Sequence, residues 1–391
     1  MAKGRGGFIG QDGLNAPDSP TDVTGTAGDQ QVSVAFTAPT DVGGSAITGY
    51  RVQDGTNAHG ASGSSSPITV TGLTNGTSYT FNVWAINAFG FSAPSEASSS
   101  VSPFAPIGVF AGGYVTGGID TNVIQKIQID TTGNSTDYGD LSSAARMAGS
   151  GASTTRALYY LGEVSSSESN TIEYQTIATG GNTTDFGDTT RARRLGGEMG
   201  LSNNTRSVLG GGFDGTSAVD IIDYVTIAST GNSTDFGNLL SAIYRMGSCA
   251  SPTRGLWAGA VGDSNVIQYI TIASTGNATD FGDLTRSING AAGLASDTRG
   301  VWGGGDNSNV MDYITIASTG NATDFGDLLA TQRDNTSCCS NIRGIFGGGS
   351  THGDMNYITI ASTGNATDFG DMVYGFQRYT TGTSSDHGGL Q

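Results

Sequence analysis

The triplet Asp324-Phe325-Gly326 is the first candidate for chemistry in the chain. In protein kinases the Asp of such a triplet holds magnesium, and a His-Arg-Asp catalytic loop accompanies it. No His-Arg-Asp loop occurs in this sequence, and Asp-Phe-Gly recurs in five copies. Because a catalytic motif is needed only once, the repetition indicates a structural element.

Oxygen-bearing side chains around the same triplet could also contact a cation. Asn321, Thr323, Asp324 and Asp327 are spaced loosely like calcium ligands, but the Asp-x-Asp-x-Asp-Gly start and the distal Glu of an EF-hand are missing. Short polar side chains of this kind commonly hydrogen-bond to their own backbone in tight turns. We therefore expect a turn and no cofactor, with calcium kept as the alternative.

Residues for enzyme chemistry are scattered. His59, His352 and His387 lie in different regions, and neither a Gly-x-Ser-x-Gly elbow nor a Walker loop occurs. The three cysteines are odd in number and two are adjacent, which does not fit a disulfide framework or a zinc site. We expect no enzyme, and we expect Cys249 and Cys338 to be buried strand residues.

Seven residues are candidate ligand contacts, and two of them are tryptophans. Trp257 and Trp302 occupy a position that is bulky in every repeat of the chain. They pack in a core between repeats or, if exposed, form stacking platforms for sugars. The equivalent residues are Phe110, Tyr159, Leu209 and Phe346.

Two further candidates, Arg254 and Arg299, belong to a recurring series. Because a guanidinium group carries five donors, we expect each Arg to pair with a repeated Asp at the edge of its repeat. A ring of ligand-binding arginines around a central channel is the alternative. The other members of the series are Arg156, Arg206 and Arg343.

The last three candidates, Asp263, Asp306 and His352, lie in loops that differ between repeats. Variable polar loops on a rigid scaffold are where recognition usually resides. We expect these loops to cluster on one rim of the repeat domain. They cover residues 162–169, 214–218, 262–264, 306–308 and 350–354.

Composition narrows both the fold and the function. Of 391 residues 63 are Gly, and 34 acidic residues outnumber 17 basic ones for a net charge of −17. Abundant Gly and few charged residues disfavour helices and predict an all-β protein. Phosphate backbones and anionic lipid surfaces would repel the chain, so we expect neither nucleic-acid binding nor membrane insertion. No signal peptide is evident.

Residues 17–103 alternate between apolar and polar positions, as short strands do. The segments Val34-Ala35-Phe36, Gly49-Tyr50-Arg51-Val52 and Ser78-Tyr79-Thr80-Phe81 resemble those of a fibronectin type III domain, which implies a seven-stranded β-sandwich. Phe36 stands where the family usually has Trp. Tyr79 is a candidate tyrosine corner whose hydroxyl bonds back to the backbone. We expect this domain to be a spacer.

Residues 104–391 consist of repeats. The Asp before an aromatic-Gly pair recurs at intervals of 48, 50, 45, 44 and 44 residues, which defines six units. Each unit has four strand-like pieces, as a propeller blade requires. In one unit these are residues 300–305, 311–316, 323–328 and a segment around Cys338. The fold prediction is a six-bladed β-propeller whose final segment supplies the outer strand that completes the ring.

The unit resembles a kelch-like repeat, with a Gly doublet after a hydrophobic strand, a Tyr in the second strand, then an aromatic residue and an Arg. Where kelch proteins usually carry Trp, this chain has Tyr or Phe, so a kelch-type partner does not follow. The substituted residues are Tyr138, Phe186, Phe236, Phe281, Phe325 and Phe369.

The order of a Gly-rich N-terminal peptide (1–16), a fibronectin-like module and polar repeats is similar to that of fibre or adhesin proteins of tailed bacteriophages, particularly of marine hosts. The resemblance implies a virion location, docking to other virion proteins through the N-terminal region, an oligomer on the particle, and a propeller that binds host-surface carbohydrate. A capsid or tail decoration subunit is the alternative, and a carbohydrate-active propeller enzyme is the most distant one.

Overall fold

The computed structural model describes residues 15–195, 200–262, 264–350, 353–375 and 377–390. These residues form 37 strands and one short 3₁₀ helix, which confirms the all-β prediction. The chain divides into two compact units, Met1–Ala105 and Pro106–Gln391. No helix within the described ranges is long and apolar enough to cross a membrane. Most of the predicted N-terminal peptide lies outside the described residues.

The first unit is a sandwich of two antiparallel sheets. One sheet has the strand order β1-β2-β5 and the other β4-β3-β6-β7. The strands are β1 (Thr21–Gly28), β2 (Gln31–Thr37), β3 (Gly49–Asp54), β4 (Gly60–Gly63), β5 (Ile68–Thr71), β6 (Phe81–Asn87) and β7 (Gly90–Phe91).

The core of this unit follows from the period-two pattern of its strands. Val32 and Val34 of β2 are fully buried, as are Phe81 and Val83 of β6. Phe36 fills the place of the usual Trp and packs against Tyr50 with ring centroids 4.7 Å apart. The Tyr79 hydroxyl accepts a hydrogen bond from the Thr74 N–H at 3.1 Å, so the predicted tyrosine corner is confirmed.

The second unit contains six four-stranded antiparallel sheets, numbered here sheet 1 to sheet 6 from the N-terminal side. The strands of each sheet are given in order from one edge to the other. Sheet 1 is β37 (Thr381–Ser384), β8 (Ile107–Ala111), β11 (Val123–Gln128) and β12 (Thr136–Asp140). Sheet 2 is β14 (Gly149–Ala152), β15 (Arg156–Tyr160), β18 (Thr171–Thr176) and β19 (Thr184–Asp188), and sheet 3 is β20 (Gly200–Ser202), β21 (Arg206–Gly210), β22 (Ile221–Thr226) and β23 (Thr234–Asn238).

The remaining sheets repeat this order. Sheet 4 is β24 (Gly247–Ala250), β25 (Arg254–Ala258), β26 (Ser264–Thr271), β27 (Thr279–Ile288); sheet 5 is β28 (Ala291–Ala295), β29 (Arg299–Gly304), β30 (Ser308–Thr315), β31 (Thr323–Gln332); and sheet 6 is β32 (Thr336–Cys339), β33 (Arg343–Gly347), β34 (Asp354–Thr359), β35 (Thr367–Asp371). Short strands β9 (Tyr114–Val115), β10 (Ile119–Asp120), β13 (Ala145–Arg146), β16 (Glu163–Val164), β17 (Ser167–Glu168) and β36 (Gln377–Arg378) form two three-stranded ribbons.

The first-named strands of the six sheets meet one another in a closed cycle. β37 contacts β14, β14 contacts β20, and the series continues through β24, β28 and β32 back to β37. These inner strands consist mostly of small, buried residues, such as Gly-Ser-Gly-Ala in β14 and Thr-Ser-Cys-Cys in β32. Small side chains are needed because six backbones converge there.

Two predicted details of the repeat are wrong. The strand around Cys338 is not the last strand of its unit; as β32 it is the inner strand of the next sheet. The C-terminal segment likewise supplies an inner strand, because β37 pairs with β8 and contacts both β14 and β32. The sequence shows four strands per repeat but not which of the two edges faces the centre.

The Asp-aromatic-Gly triplets join neighbouring sheets. In sheet 5 Phe325 is buried, while Gly326 has a φ of +140° and an ideal Cβ on it would lie 2.5 Å from the Gly364 carbonyl oxygen of sheet 6. Gly364 in turn donates its N–H to the Phe325 carbonyl at 2.8 Å. The same N–H to carbonyl bond joins every pair of neighbouring sheets, including sheet 1 to sheet 6 through Gly133 and Phe369.

Substitution of Gly326 by Ala tests this close approach, with Gly320→Ala as the matched control. Both glycines have positive φ, but nothing lies within 4 Å of a Cβ on Gly320. Each variant loses about 1–3 kcal/mol to backbone strain, and Gly326→Ala loses about 1–3 kcal/mol more because the Cβ overpacks a backbone.

Urea unfolding of the full chain measures the difference. The reference protein and both variants also carry Trp84→Phe. Trp257 and Trp302 are then the remaining tryptophans, and their fluorescence reports on the second unit. Equal destabilisation by the two substitutions would show that the sheets do not pack at this position.

Candidate functional site

The repeated arginines clamp each sheet to the next. Arg299 donates from Nη1 to the Ile360 carbonyl of sheet 6 at 2.9 Å, and its guanidinium carbon lies 4.5 Å from the centroid of the Tyr313 ring. Arg254 does the same with Ile316 at 2.7 Å and Tyr269 at 4.8 Å. The prediction that these arginines pair with the repeated Asp is therefore wrong: a backbone carbonyl and an aromatic face are their partners.

Sheet 1 makes the same junction with different residues. Lys126 takes the place of the repeated Tyr, and Tyr138 takes the place of the repeated Phe. The Tyr138 hydroxyl donates to the Ile177 carbonyl at 2.6 Å, which is the acceptor that an Arg reaches elsewhere. Lys126 Nζ lies 4.3 Å from the Tyr138 ring centroid. The departure at Tyr138 therefore preserves the clamp.

Trp257 and Trp302 are core residues. Trp257 is 0% exposed and Trp302 is 1% exposed, and the Trp302 indole donates to the Gly247 carbonyl at 3.1 Å. A surface role in sugar stacking is thus closed to both, and the packing alternative is confirmed. The equivalent residues Phe110, Tyr159, Leu209 and Phe346 are buried as well.

A second set of buried polar residues joins the sheets and was missed from the sequence. Gln268 of sheet 4 accepts a hydrogen bond from the Leu240 N–H of sheet 3 at 2.9 Å, and Asn356 of sheet 6 accepts one from the Leu329 N–H of sheet 5 at 3.0 Å. Each stands opposite the bulky residue of the preceding strand. The set is Gln125, Glu173, Asp223, Gln268, Asp312 and Asn356.

One of the four oxygens proposed as calcium ligands already accepts a hydrogen bond. The Asn321 side-chain oxygen accepts the Asp283 N–H of the neighbouring sheet at 3.0 Å. Equivalent bonds are made by Asn134, Asn182, Asn232, Asn277 and Asn365. The residues do lie at a turn, but their bonds reach across to another sheet. Among the described residues no cluster of three or more His, Cys, Asp or Glu side chains could hold a metal ion.

The centre of the ring is nearly filled. Ser and Gly alternate around it at one level, and the hydroxyls of Ser150, Ser248 and Ser337 each donate to a Gly carbonyl of the preceding sheet at 2.7 Å. A cavity of about 60 Å³ remains, lined by the three cysteines among others. All three are buried, as predicted for Cys249 and Cys338. This volume holds no more than a few water molecules.

His387 closes one end of the cavity, just before the 3₁₀ helix Gly388–Leu390. Its Nε2 lies 3.1 Å from Ser202 Oγ and 3.3 Å from the Ala152 carbonyl, and the Gly389 N–H donates to Nδ1 at 3.2 Å. These contacts fit a neutral ring with its hydrogen on Nε2. Burial lowers the pKa of His387 to about 4, although the bond to Ala152 opposes the shift.

The lowered pKa of His387 makes the second unit less stable in acid. His387 of the unfolded chain is protonated below its ordinary pKa of 6.5, whereas His387 of the folded chain stays neutral down to about pH 4. Stability therefore falls as the pH drops through this window, by up to about 3 kcal/mol.

Urea unfolding at pH 7, 5.5 and 4.5 measures how the free energy of unfolding depends on pH. Trp257 and Trp302 fluorescence is the signal, and the proteins again carry Trp84→Phe. His387→Gln should remove the His387 part of the slope while leaving the part that is due to carboxylates. Identical pH slopes for the two proteins would contradict a neutral His387.

The opposite end of the ring is closed by backbone. Six residues, here called the mouth ring, each donate an N–H to the carbonyl of the previous member, and the first donates to the last, at 2.8–3.1 Å. Five of them have φ between 51° and 73°. The mouth ring is Met147, Leu195, Arg245, Gly290, Asp334 and Tyr379.

The predicted variable loops lie at this mouth. Each loop between the second and third strands of a sheet meets the residue that precedes a mouth-ring member; Asp306, for example, donates its N–H to the Asn289 carbonyl at 3.1 Å. The loops of sheets 1 to 3 are long, at 112–122, 161–170 and 211–220, and those of sheets 4 to 6 are short, at 259–263, 305–307 and 348–353. The longest loop, in sheet 1, was not among those predicted.

Of the three loop candidates, Asp306 suits the backbone conformation of its hairpin. Asp306 and Asn307 both have left-handed φ values, 51° and 57°, in the tight hairpin between β29 and β30. Asp and Asn tolerate this conformation better than most residues. Asp306 is also exposed at the mouth and stays a candidate contact. Asp263 and His352 lie outside the described residues.

The long loops carry a network of charged and aromatic side chains. Glu163 is nearly buried and bridges two arginines: it pairs with Arg146, whose Nε lies 3.0 Å away, and with Arg194 at 3.0 Å. Arg194 also lies over the Phe213 ring at 4.7 Å, and that ring is 5.4 Å from the Tyr244 ring. Sequence reasoning missed this network because its members come from different repeats.

Comparison with known proteins identifies the first unit only. Residues 18–101 match the fibronectin type III domain family, and this segment is a fibronectin type III domain. A crystal structure of domains from titin is 34% identical over 22% of this chain and 32% of that chain, with a TM-score of 0.21. The chain thus spans about a third of that structure. No curated protein matches the chain.

Proposed function

We propose that residues 106–391 form a six-bladed β-propeller of kelch-like repeats. The closed cycle of inner strands supports this, because each sheet would be one blade packed between two neighbours. The pairing of β37 with β8 supports it further, since it would join the two ends of the repeat region in one blade. The bond that Arg254 and Arg299 make to a neighbouring sheet is made by an equivalent Arg in five blades, as expected for a ring of equivalent blades.

We propose that the chain is a virion appendage protein of a tailed bacteriophage, located on the particle, and that the mouth end binds host-surface carbohydrate. The observation that supports this proposal is that repeated and variable residues have different roles within the repeat. The repeated residues hold the sheets together, whereas the residues that differ lie in loops at the mouth. The N-terminal region would dock to other virion proteins, and the fibronectin domain would act as a spacer.

The axial cavity supports recognition at the mouth rather than chemistry on the axis. Its volume of about 60 Å³ is too small for a sugar ring. The contact of His387 with Ser202 lies inside this cavity, where burial lowers the pKa of His387. A ligand of any size would instead meet the loops, where Phe213 and Tyr244 are half-buried and accessible.

Many copies on one particle would make weak contacts sufficient. Each mouth presents only a few aromatic and charged groups, so we expect modest affinity for a single copy. Linking many copies raises the effective concentration of binding sites. The overall affinity can then exceed that of a single copy by about 10²–10⁴-fold without any new contact. An oligomer on the particle fits this requirement.

Adsorption competition by the purified full chain tests the proposal. We expect the chain to slow adsorption of the phage that carries it and to bind surface polysaccharide of the host. Phe213→Ala combined with Tyr244→Ala should abolish competition because both rings lie at the mouth. Phe89→Ala is the control, since Phe89 is 49% exposed in the fibronectin domain.

Immunogold electron microscopy of intact particles separates the alternatives. Label at fibre or tail tips together with competition supports the proposal. Label over the capsid without competition would favour a decoration subunit, and an absence of label on every particle would overturn the virion location.

A further inference from the structure

We propose that the mouth binds the carboxylate groups of an acidic polysaccharide through an arc of arginines. This inference rests on the proposed function and narrows its ligand from carbohydrate in general to polymers rich in uronic acid. It follows from the residues that immediately precede the mouth ring, here called the collar. The collar is Arg146, Arg194, Tyr244, Asn289, Arg333 and Arg378.

Four neighbouring positions of the collar are arginine. Going around the ring from sheet 5 to sheet 3, the order is Arg333, Arg378, Arg146, Arg194. Repeat architecture does not require this, because Tyr and Asn occupy the other two positions. In a chain with only 17 basic residues, an arc of four is a concentration of guanidinium groups at one place.

The arginines are accessible and unequally neutralised. Arg146, Arg194 and Arg333 have 25%, 30% and 34% of their side chains exposed. Arg146 pairs with both Glu163 and Asp120, and Arg194 pairs with both Glu163 and Glu168. Arg333 lies 4.0 Å from Asp334, which also pairs with Arg245. Within the described ranges Arg378 has no carboxylate at ion-pair distance; its guanidinium lies between Tyr114 and Tyr379, 4.9 Å and 5.0 Å from their ring centroids.

Unpartnered polar atoms collect at the same place. Among the described residues 13 buried side-chain nitrogen or oxygen atoms make no hydrogen bond in the protein, although two of them, Arg193 Nη2 and Asp223 Oδ2, form an ion pair at 2.8 Å. All but those of Asp223 and Arg286 belong to residues within two positions of a mouth-ring member. Gln332 and Asn335 are 1% and 2% exposed, so these are interior groups. Unpaired buried polar groups are costly and call for an explanation.

The chemistry of the unpartnered atoms indicates the ligand. The Nε atoms of Arg194, Arg245, Arg333 and Arg378 are among them, so donors outnumber acceptors. A guanidinium group matches a carboxylate in a two-pronged geometry, which a neutral sugar hydroxyl cannot reproduce. A ligand that matches the exposed parts of these arginine side chains therefore carries acceptor oxygens and negative charge.

Aromatic rings beside the arc favour a glycan over other polyanions. Tyr114 and Phe213 are half-buried beside the arc, where sugar rings could lie against them. The net charge of −17 repels any polyanion at long range, so binding of an acidic glycan depends on these local contacts.

Binding to polygalacturonate oligosaccharides tests the inference, with neutral dextran oligosaccharides as the comparison ligand. We expect the full chain to prefer polygalacturonate and to lose affinity as NaCl rises. Arg333→Gln together with Arg378→Gln should weaken binding by at least about tenfold, because each loses a charge-assisted contact.

Two variants control for charge and for fold. Arg51→Gln removes one positive charge from an exposed position on β3 of the fibronectin domain and should leave binding unchanged. Arg378→Lys keeps the charge but loses the planar fork, so its affinity should fall between wild type and Arg378→Gln. Near-native unfolding curves for all variants ensure that lost binding reflects the collar.

The outcomes distinguish this inference from the function on which it rests. Equal affinity for dextran, unchanged binding by the double variant, or equal affinity for poly-glutamate would overturn the acidic-polysaccharide ligand. Should the chain block phage adsorption while binding only neutral host glycans, the proposed function would stand and the inference would fail. Neither competition nor binding to any glycan would overturn both.

Discussion

Hydrogen bonds from each sheet to the next are the interaction on which the second unit depends. The Gly320 and Gly364 turns, the Arg254 and Arg299 clamps and the mouth ring all join neighbouring sheets. Each series returns to its start: Arg343 reaches the Ile129 carbonyl of sheet 1 at 3.1 Å, and Met147 donates to Tyr379. No single repeat can form any of these bonds alone, so each sheet depends on its neighbours, and the closed cycle gives every sheet two of them.

This constraint determines which residues are free to carry function. The Asp-Phe-Gly-Asp segments look like a reactive motif, yet Phe325 fills a core and Gly326 lets two backbones approach. The same holds for the tryptophans, which pack between sheets. What closure does not use lies at the mouth, in loops whose length and sequence vary. The proposed recognition site is therefore placed by elimination as well as by its own chemistry.

Sequence patterns predicted what is local and missed what is shared between repeats. Alternating apolar residues located the strands around Val32 and Phe81, and the interval between copies of Asp-aromatic-Gly gave six units. Contacts between residues far apart in the chain determine the inner edge, the buried acceptors and the partners of the arginines. The bond to Gln268 joins residues 28 positions apart, and the bond from Arg254 joins residues 62 positions apart. Periodicity within one strand carries no information about such contacts, so the Arg-to-Asp pairing was wrong.

The central claim is that the C-terminal strand closes the cycle, and hydrogen exchange at individual strands of the intact chain tests it most directly. Closure predicts that amides of β8 and β37 exchange as slowly as those of β24 and β25 in sheet 4, because all are opened only by global unfolding. Fast exchange in β8 and β37, with sheet 4 still protected, would contradict a closed ring.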